Sequence, residues 1–133
     1  VIIDSSAFIA ILRNEPDAER IARAMEQASK RRVSAATLLE TAIVVDANRD
    51  PLLSRKLDEL VQLYQITVEP VTEVHVHLGR AAFRYFGRGS GHPAKLNFGD
   101  CFAYALSKAT GEPLLFKGDD FSQTDVEPAL TNV

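Results

Sequence analysis

The chain has 133 residues, 46% of them hydrophobic and 25% charged. Those are the proportions of one folded globular domain, expected to cover 1–133, and they exclude a disordered, collagen-like or disulfide-built protein. The formal net charge is −3, the wrong overall sign for a protein that holds nucleic acid by bulk charge alone. The single cysteine, Cys101, cannot form an internal disulfide, and no apolar run is long enough to span a membrane. The chain opens on a short apolar run without a basic leader, so no secretory signal is expected and a cytoplasmic location is. The start at Val1 rather than Met leaves room for residues before it.

In chain order, residues 1–3 are a β-branched run that reads as a buried strand. Asp4, Ser5 and Ser6 offer N-caps to a helix over 7–12. Pro16 and Asp17 start a second helix over 18–29, with Ile21, Ala22, Met25 and Ala28 at helical spacing. A very short strand precedes Ser34, which can cap a helix over 35–47. Pro51 opens another, with Leu52, Leu53, Leu57, Leu60, Val61 and Tyr64 on one side. Residues 66–68 are β-like, 72–86 read as helix, and the glycine-rich segment 87–93 reads as a loop. Asn97 begins a helix that stops at Gly111. Residues 113–116 form a strand followed by the turn Lys117-Gly118-Asp119-Asp120, with a last β segment near 126–130. Short, continuously apolar strands alternating with helices predict a three-layer α/β/α fold around a mainly parallel sheet of four or five strands. Active sites in such sheets lie beyond the carboxyl ends of the strands, near a switch in strand order.

Acids stand at the places that matter for this geometry. Asp4 is the first polar residue after a strand, Asp100 lies in the first turn of a helix, and Asp119 and Asp120 follow the last clear strand. Glu40 interrupts an otherwise apolar helix. Singly, Asp4 is explained as an N-cap, Asp100 as the partner of Asn97 in a capping box, and Asp119-Asp120 as an ordinary turn. Gathered on one rim, these carboxylates would repel and raise one another's pKa unless a cation offset them. Hard oxygen donors with few His or Cys residues nearby suit Mg²⁺ or Mn²⁺ rather than zinc. Such an ion supports phosphodiester hydrolysis.

Four segments then resemble, in order, the motifs of PIN-domain ribonucleases, most closely their VapC toxins. They are Val1-Ile2-Ile3-Asp4-Ser5-Ser6-Ala7, Val33-Ser34-Ala35-Ala36-Thr37-Leu38-Leu39-Glu40, the run from Leu96-Asn97-Phe98-Gly99-Asp100 to Leu106, and Pro113-Leu114-Leu115-Phe116-Lys117-Gly118-Asp119-Asp120-Phe121. The resemblance implies a PIN-like fold and a Mg²⁺- or Mn²⁺-dependent endoribonuclease acting on structured RNA such as tRNA or rRNA. It further implies a homodimer and a small VapB-like antitoxin that docks on the N-terminal helices. It matches Asp4 and Asp100 to the principal metal ligands and Glu40 to the acid that orients the attacking water. Either Asp119 or Asp120 can be the fourth acid, with Asp119 preferred. Ser6, Thr37 and Asn97 are placed to hydrogen-bond these carboxylates.

The stretch between Glu73 and Asp100 contains no acid. It holds Arg80, Arg84 and Arg88, four apart on one helix face, and Lys95; with Lys117 and the cluster Lys30-Arg31-Arg32 these are candidate phosphate contacts. No aromatic platform for base stacking is evident. His75 and His77 diverge on a helix and do not make a zinc pair, and Cys101 is expected in the core. Two other readings compete. One is a noncatalytic PIN-fold binding module, against which the full acid set counts. The other is a haloacid-dehalogenase-like small-substrate phosphatase, which needs a second Asp where Ser6 stands.

Overall fold

The computed structural model describes residues 1–131 and 133. Its elements are β1 (Ile2–Ile3), α1 (Ser5–Leu12), α2 (Ala18–Gln27), β2 (Arg32–Ser34), α3 (Ala35–Asp46), α4 (Pro51–Leu63), β3 (Thr67–Glu69), α5 (Glu73–Phe86), α6 (Phe98–Thr110) and β4 (Leu114–Leu115). The strands form a parallel sheet in the order β3-β2-β1-β4. An isolated bridge from Leu114 to Pro128 adds a short extended segment beyond β4, where Leu114 N–H donates to Glu127 O and Ala129 N–H to Leu114 O, each at 2.8 Å. The expected last β segment is therefore a single bridge.

Alternation along the strands divides the apolar residues between two cores. Ile3, Val33 and Leu115 pack with Phe8 of α1, Ile21 and Met25 of α2, Val45 of α3 and Leu57 of α4. Ile2, Leu114 and Phe116 pack on the other side with Ala82 of α5 and Ala103, Tyr104 and Leu106 of α6. The sheet is thus covered on both faces at its centre, which is why β1 and β4 are apolar at every position rather than every second one.

Local chemistry sets most helix ends. The Asp4 side chain accepts from Ser6 N–H at the start of α1, and Asp50 does the same for Leu52 before Pro51. Thr72 and Asn97 each close a capping box, and Gly111 ends α6 in the left-handed conformation (φ 73°). Ser34 stands at the N-cap of α3 with an extended backbone, but its hydroxyl makes no cap bond, so the expectation of side-chain capping there is corrected.

Two arginines of the basic cluster before β2 are consumed by the fold. Arg31 donates from Nε to Tyr64 O and from Nη1 to Met25 O and Ala28 O. Arg32 Nη1 lies 2.7 Å from Glu69 Oε1, and its Nε lies 2.8 Å from Glu112 Oε2. These contacts tie β2 to its neighbours, and the reading of Arg31 and Arg32 as phosphate contacts is withdrawn. Among the described residues, no helix is long and apolar enough to cross a membrane.

Because the chain runs from β1 outward to β3 and then returns to place β4 on the other side of β1, strand order reverses between β1 and β4. The cleft beyond their carboxyl ends is where an open parallel sheet builds a site.

Candidate active site

Asp4 leaves β1 at this reversal and is 4% exposed. Its Oδ2 accepts from Ser6 N–H at 3.0 Å and from Ser6 Oγ–H at 2.7 Å. Ser6 Oγ in turn accepts from Lys117 N–H at 2.9 Å, so one hydroxyl joins the acid after β1 to the backbone after β4. Burial raises the Asp4 pKa, the hydrogen bonds from Ser6 oppose the rise, and the charge of Glu40 adds to it.

Asp100 occupies the third position of α6. Its Oδ2 accepts from Asn97 N–H and its own N–H donates to Asn97 Oδ1, both at 2.9 Å. Asn97 therefore holds Asp100 through the helix cap, with its side chain on the Asp100 backbone rather than on the carboxylate. Burial pushes the Asp100 carboxyl up to about 6; Asn97 N–H lowers it, the charges of Asp4 and Asp120 raise it, and Arg88 lowers it.

Glu40 reaches the same place from α3. Burial raises its pKa, a side-chain hydrogen bond from Ser5 lowers it, and the charge of Asp100 raises it. The carboxylate rests on Gly99, close enough that a Cβ built on that glycine would stand 1.8 Å from Glu40 Oε2. Ser5 and Gly99 are functional positions that sequence reasoning passed over. Gly99 carried a signal, since glycine in a helix costs about 1 kcal/mol relative to alanine and needs a reason such as close approach.

The other sequence-derived residues fall into place unevenly. Asp120 raises Asp100, whereas Asp119 does not figure among the charges acting on that carboxyl; the carbonyl of Asp119 accepts from Ser122 Oγ and its side chain lines a different depression. Of the two turn acids, Asp120 is the one whose charge acts on Asp100. Thr37 is buried with an Oγ1 that has no partner among the described residues, so the expected bond to a carboxylate is absent. Its position on the inner face of α3 leaves only its carbonyl engaged, by Thr41 Oγ1 at 2.8 Å. Lys117 is committed elsewhere, with Nζ 2.9 Å from Glu15 Oε1 and 3.6 Å from Asp17 Oδ2, and it is withdrawn as a phosphate contact. Arg80 and Arg84 are exposed on α5, but the helix ends at Phe86. Arg88 lies past that end, where its N–H donates to Leu96 O at 2.9 Å, so the three arginines do not share one helix face. Lys95 and Arg88 border one open depression with Asp120.

The arrangement is a set of desolvated acids, each raising another. Asp4, Glu40 and Asp100 come from three elements far apart in the chain, and the cluster contains no His or Cys. Among the described residues, no group of three His, Cys, Asp or Glu side chains is already arranged to hold a metal ion; these acids share a field rather than a coordination shell. Their donors are nonetheless of one kind, hard carboxylate oxygen, and the unrelieved repulsion fits a divalent cation of the Mg²⁺ type.

Comparison with known proteins identifies the family. A profile of the PIN domain matches residues 1–127. Ribonuclease VapC28 of Mycobacterium tuberculosis is 57% identical over 130 residues, covering 98% of each chain. Ribonuclease VapC42 of the same organism is 44% identical over 131 residues, covering 98% of this chain and 100% of its own. Among solved structures, the sarcin-ricin loop cleaving toxin VapC20 of M. tuberculosis superposes with a TM-score of 0.72 at 16% identity, over 94% of this chain and 95% of that one. A toxin-antitoxin complex from Klebsiella pneumoniae gives 0.70 at 11% identity, over 92% and 90%. With the acids, the strand reversal and the full-length likeness together, the chain belongs to the PIN-domain family, within its VapC ribonuclease toxins.

Proposed function

We propose that this protein is a Mg²⁺- or Mn²⁺-dependent endoribonuclease, with residues 1–133 acting as one PIN domain in the cytoplasm. The observation that carries this reading is the convergence of Asp4, Glu40 and Asp100 at the β1/β4 reversal, all with pKa values raised by burial and by one another. Asp4 and Asp100 would hold the ion, with Asp120 at the outer side. A bound divalent ion would supply Lewis-acid stabilisation of the phosphate and of the leaving oxygen. Glu40, seated on Gly99 and steadied by Ser5, orients a water for attack and accepts its proton. Ser6 and Asn97 fix the directions of Asp4 and Asp100, so little reorganisation is left for the reaction.

The same reading extends to the biological setting. Relatives named as VapC ribonucleases and a neighbour that cleaves the sarcin-ricin loop favour a structured RNA such as rRNA or tRNA. The neighbouring toxin-antitoxin complex favours a small antitoxin partner. The depression of about 800 Å³ between α1 and α4, where Ile11, Leu12, Leu60 and Leu63 alternate with Asn14, Lys56, Glu59 and Gln62, is the surface we assign to it. A homodimer is the assembly we assign, with exposed Leu39, Ile43 and Phe98 as apolar area for it.

The deciding experiment compares wild type with Asp4→Asn and Asp100→Asn on RNA. Cleavage is expected with Mg²⁺ or Mn²⁺, absent with chelator, and lost in both variants while their thermal unfolding remains cooperative. Cleavage that resists chelator, or full activity in both variants, overturns the assignment.

A further inference from the structure

The segment after α5 holds a feature that neither the acids nor the helix charges explain. Tyr85 is 68% exposed, yet its ring is not loose. It lies edge-on to Phe86, with centroids 4.7 Å apart, and tilted over His92 at 5.7 Å. Phe86 packs edge-on to His92 at 4.8 Å and against Tyr104 at 6.0 Å, so the platform is anchored in the core. His92 is itself fixed, its Nδ1 accepting from Ala94 N–H at 3.1 Å. The loop that carries it is closed at its base, where Arg88 N–H donates to Leu96 O and Leu96 N–H to Phe86 O, both at 2.9 Å. The expectation that no stacking platform exists is thereby corrected: Tyr85 and His92 are seven residues apart in sequence and meet only when the loop closes.

What surrounds the platform is cationic. Arg84, exposed, borders one depression with Tyr85, and Arg88 and Lys95, also exposed, border another with His92, and the segment contains no acid between Glu73 and Asp100. The acid bordering the depression on the Tyr85 side is Asp125, whose oxygens are taken by Tyr104 OH at 2.8 Å and Lys108 Nζ at 3.1 Å. On the His92 side, an open depression of about 730 Å³ runs past Arg88 and Lys95 to Asp120. Two of its lining residues, Asp120 and Arg88, act electrostatically on Asp100. A rigid exposed aromatic ring flanked by guanidinium and ammonium groups is the arrangement that holds an unpaired base and its phosphates.

We infer that Tyr85, backed by His92 and Phe86, stacks an unpaired base of the RNA while Arg88 and Lys95 hold the adjoining phosphates, making this face a selector for single-stranded segments. The inference rests on the ribonuclease reading above and adds a specificity-determining residue to it. Base–aromatic stacking of this kind is lost with an affinity change of about tenfold or more.

The test uses a mixed-sequence oligoribonucleotide containing 2-aminopurine, whose fluorescence is quenched on stacking, and its fully paired duplex. Wild type and Asp4→Asn are expected to quench the single strand and leave the duplex unchanged. Tyr85→Ala should lose the quench and raise KM for cleavage about tenfold with kcat little altered, while Tyr85→Phe retains both. Equal quench and equal KM in Tyr85→Ala overturn the inference, and do so without touching the ribonuclease reading if wild type still cleaves in Mg²⁺. A Tyr85→Ala variant that changes only its sedimentation coefficient assigns the face to a second copy of the chain and likewise overturns it. If wild type neither binds nor cleaves RNA, the ribonuclease reading fails together with this one.

Discussion

Replacing Gly99 with alanine separates stability from activity more sharply than removing any of the acids. The added methyl would sit 1.8 Å from Glu40 Oε2, 2.6 Å from its Cδ and 2.9 Å from its Oε1. Moving that oxygen from 1.8 Å out to an ordinary 3.4 Å contact is a shift of about 1.6 Å. The colliding group is the end of a flexible side chain, so the backbone has no need to yield. Alanine is also the better helix former, by up to about 1 kcal/mol in a helix interior and less in a first turn. Gly99→Ala should therefore fold with unchanged or slightly raised thermal stability. The carboxylate that positions the water, however, is driven off its seat and away from Ser5. Displacements of about 1 Å in a reacting group cost on the order of 100-fold, equivalent to about 2.7 kcal/mol of barrier. The assay is kcat/KM on a fluorogenic RNA with saturating Mg²⁺, alongside thermal unfolding of the same preparation. Activity within about threefold of wild type, in a protein of unchanged stability, would refute the role given to the Glu40–Gly99 contact.

Two further outcomes follow from the electrostatics. Burial pushes the Asp100 carboxyl up to about 6, above its ordinary 3.8, so its neutral form stabilises the folded chain fully below about pH 4 and the benefit fades as pH rises through 6. In chelator, the stability gained by Asp100→Asn over wild type should grow from about pH 4 to pH 7, and Mn²⁺ should erase much of that gap by stabilising wild type; a pH-independent difference contradicts the buried, raised carboxyl. At the outer turn, Asp120→Asn should weaken activation by Mn²⁺ and Asp119→Asn should leave it near wild type, measured as the metal concentration for half-maximal cleavage; the reverse order would restore Asp119 as the fourth acid.

The sequence exposed local chemistry far better than remote contact. Asp4 and Asn97 were readable as caps because an N-cap needs only its own helix start, and Gly111 because a left-handed C-cap needs a residue without a Cβ. The two most apolar strands and the acids that follow them pointed to the rim of a parallel sheet, which is where Asp4 and the turn after β4 stand. Where the reading fell short, the deciding atom lay on another element. Lys117 looked free until Glu15 and Asp17, on the turn after α1, were brought to its ammonium. Arg31 looked like a phosphate ligand until three backbone carbonyls enclosed it. Arg88 kept the helical spacing of Arg80 and Arg84 in sequence, but the chain turns at Gly87 and carries it off the helix. Ser5 and Ser6 are indistinguishable as neighbours; only the direction of α1 sends one to Glu40 and the other to Asp4.

The bond from Lys117 N–H to Ser6 Oγ also dates the birth of the site. Its two residues are separated by 111 positions, and β4 lies against β1 rather than beside the strand made before it. During synthesis, β1 emerges before β4 and keeps one edge open until Leu114 and Leu115 have left the ribosome. A nascent chain without β4 has neither the amide that holds Ser6 against Asp4 nor the turn that brings Asp120 toward Asp100. Strand order alone therefore delays the assembled acids until β4 has been made and paired with β1.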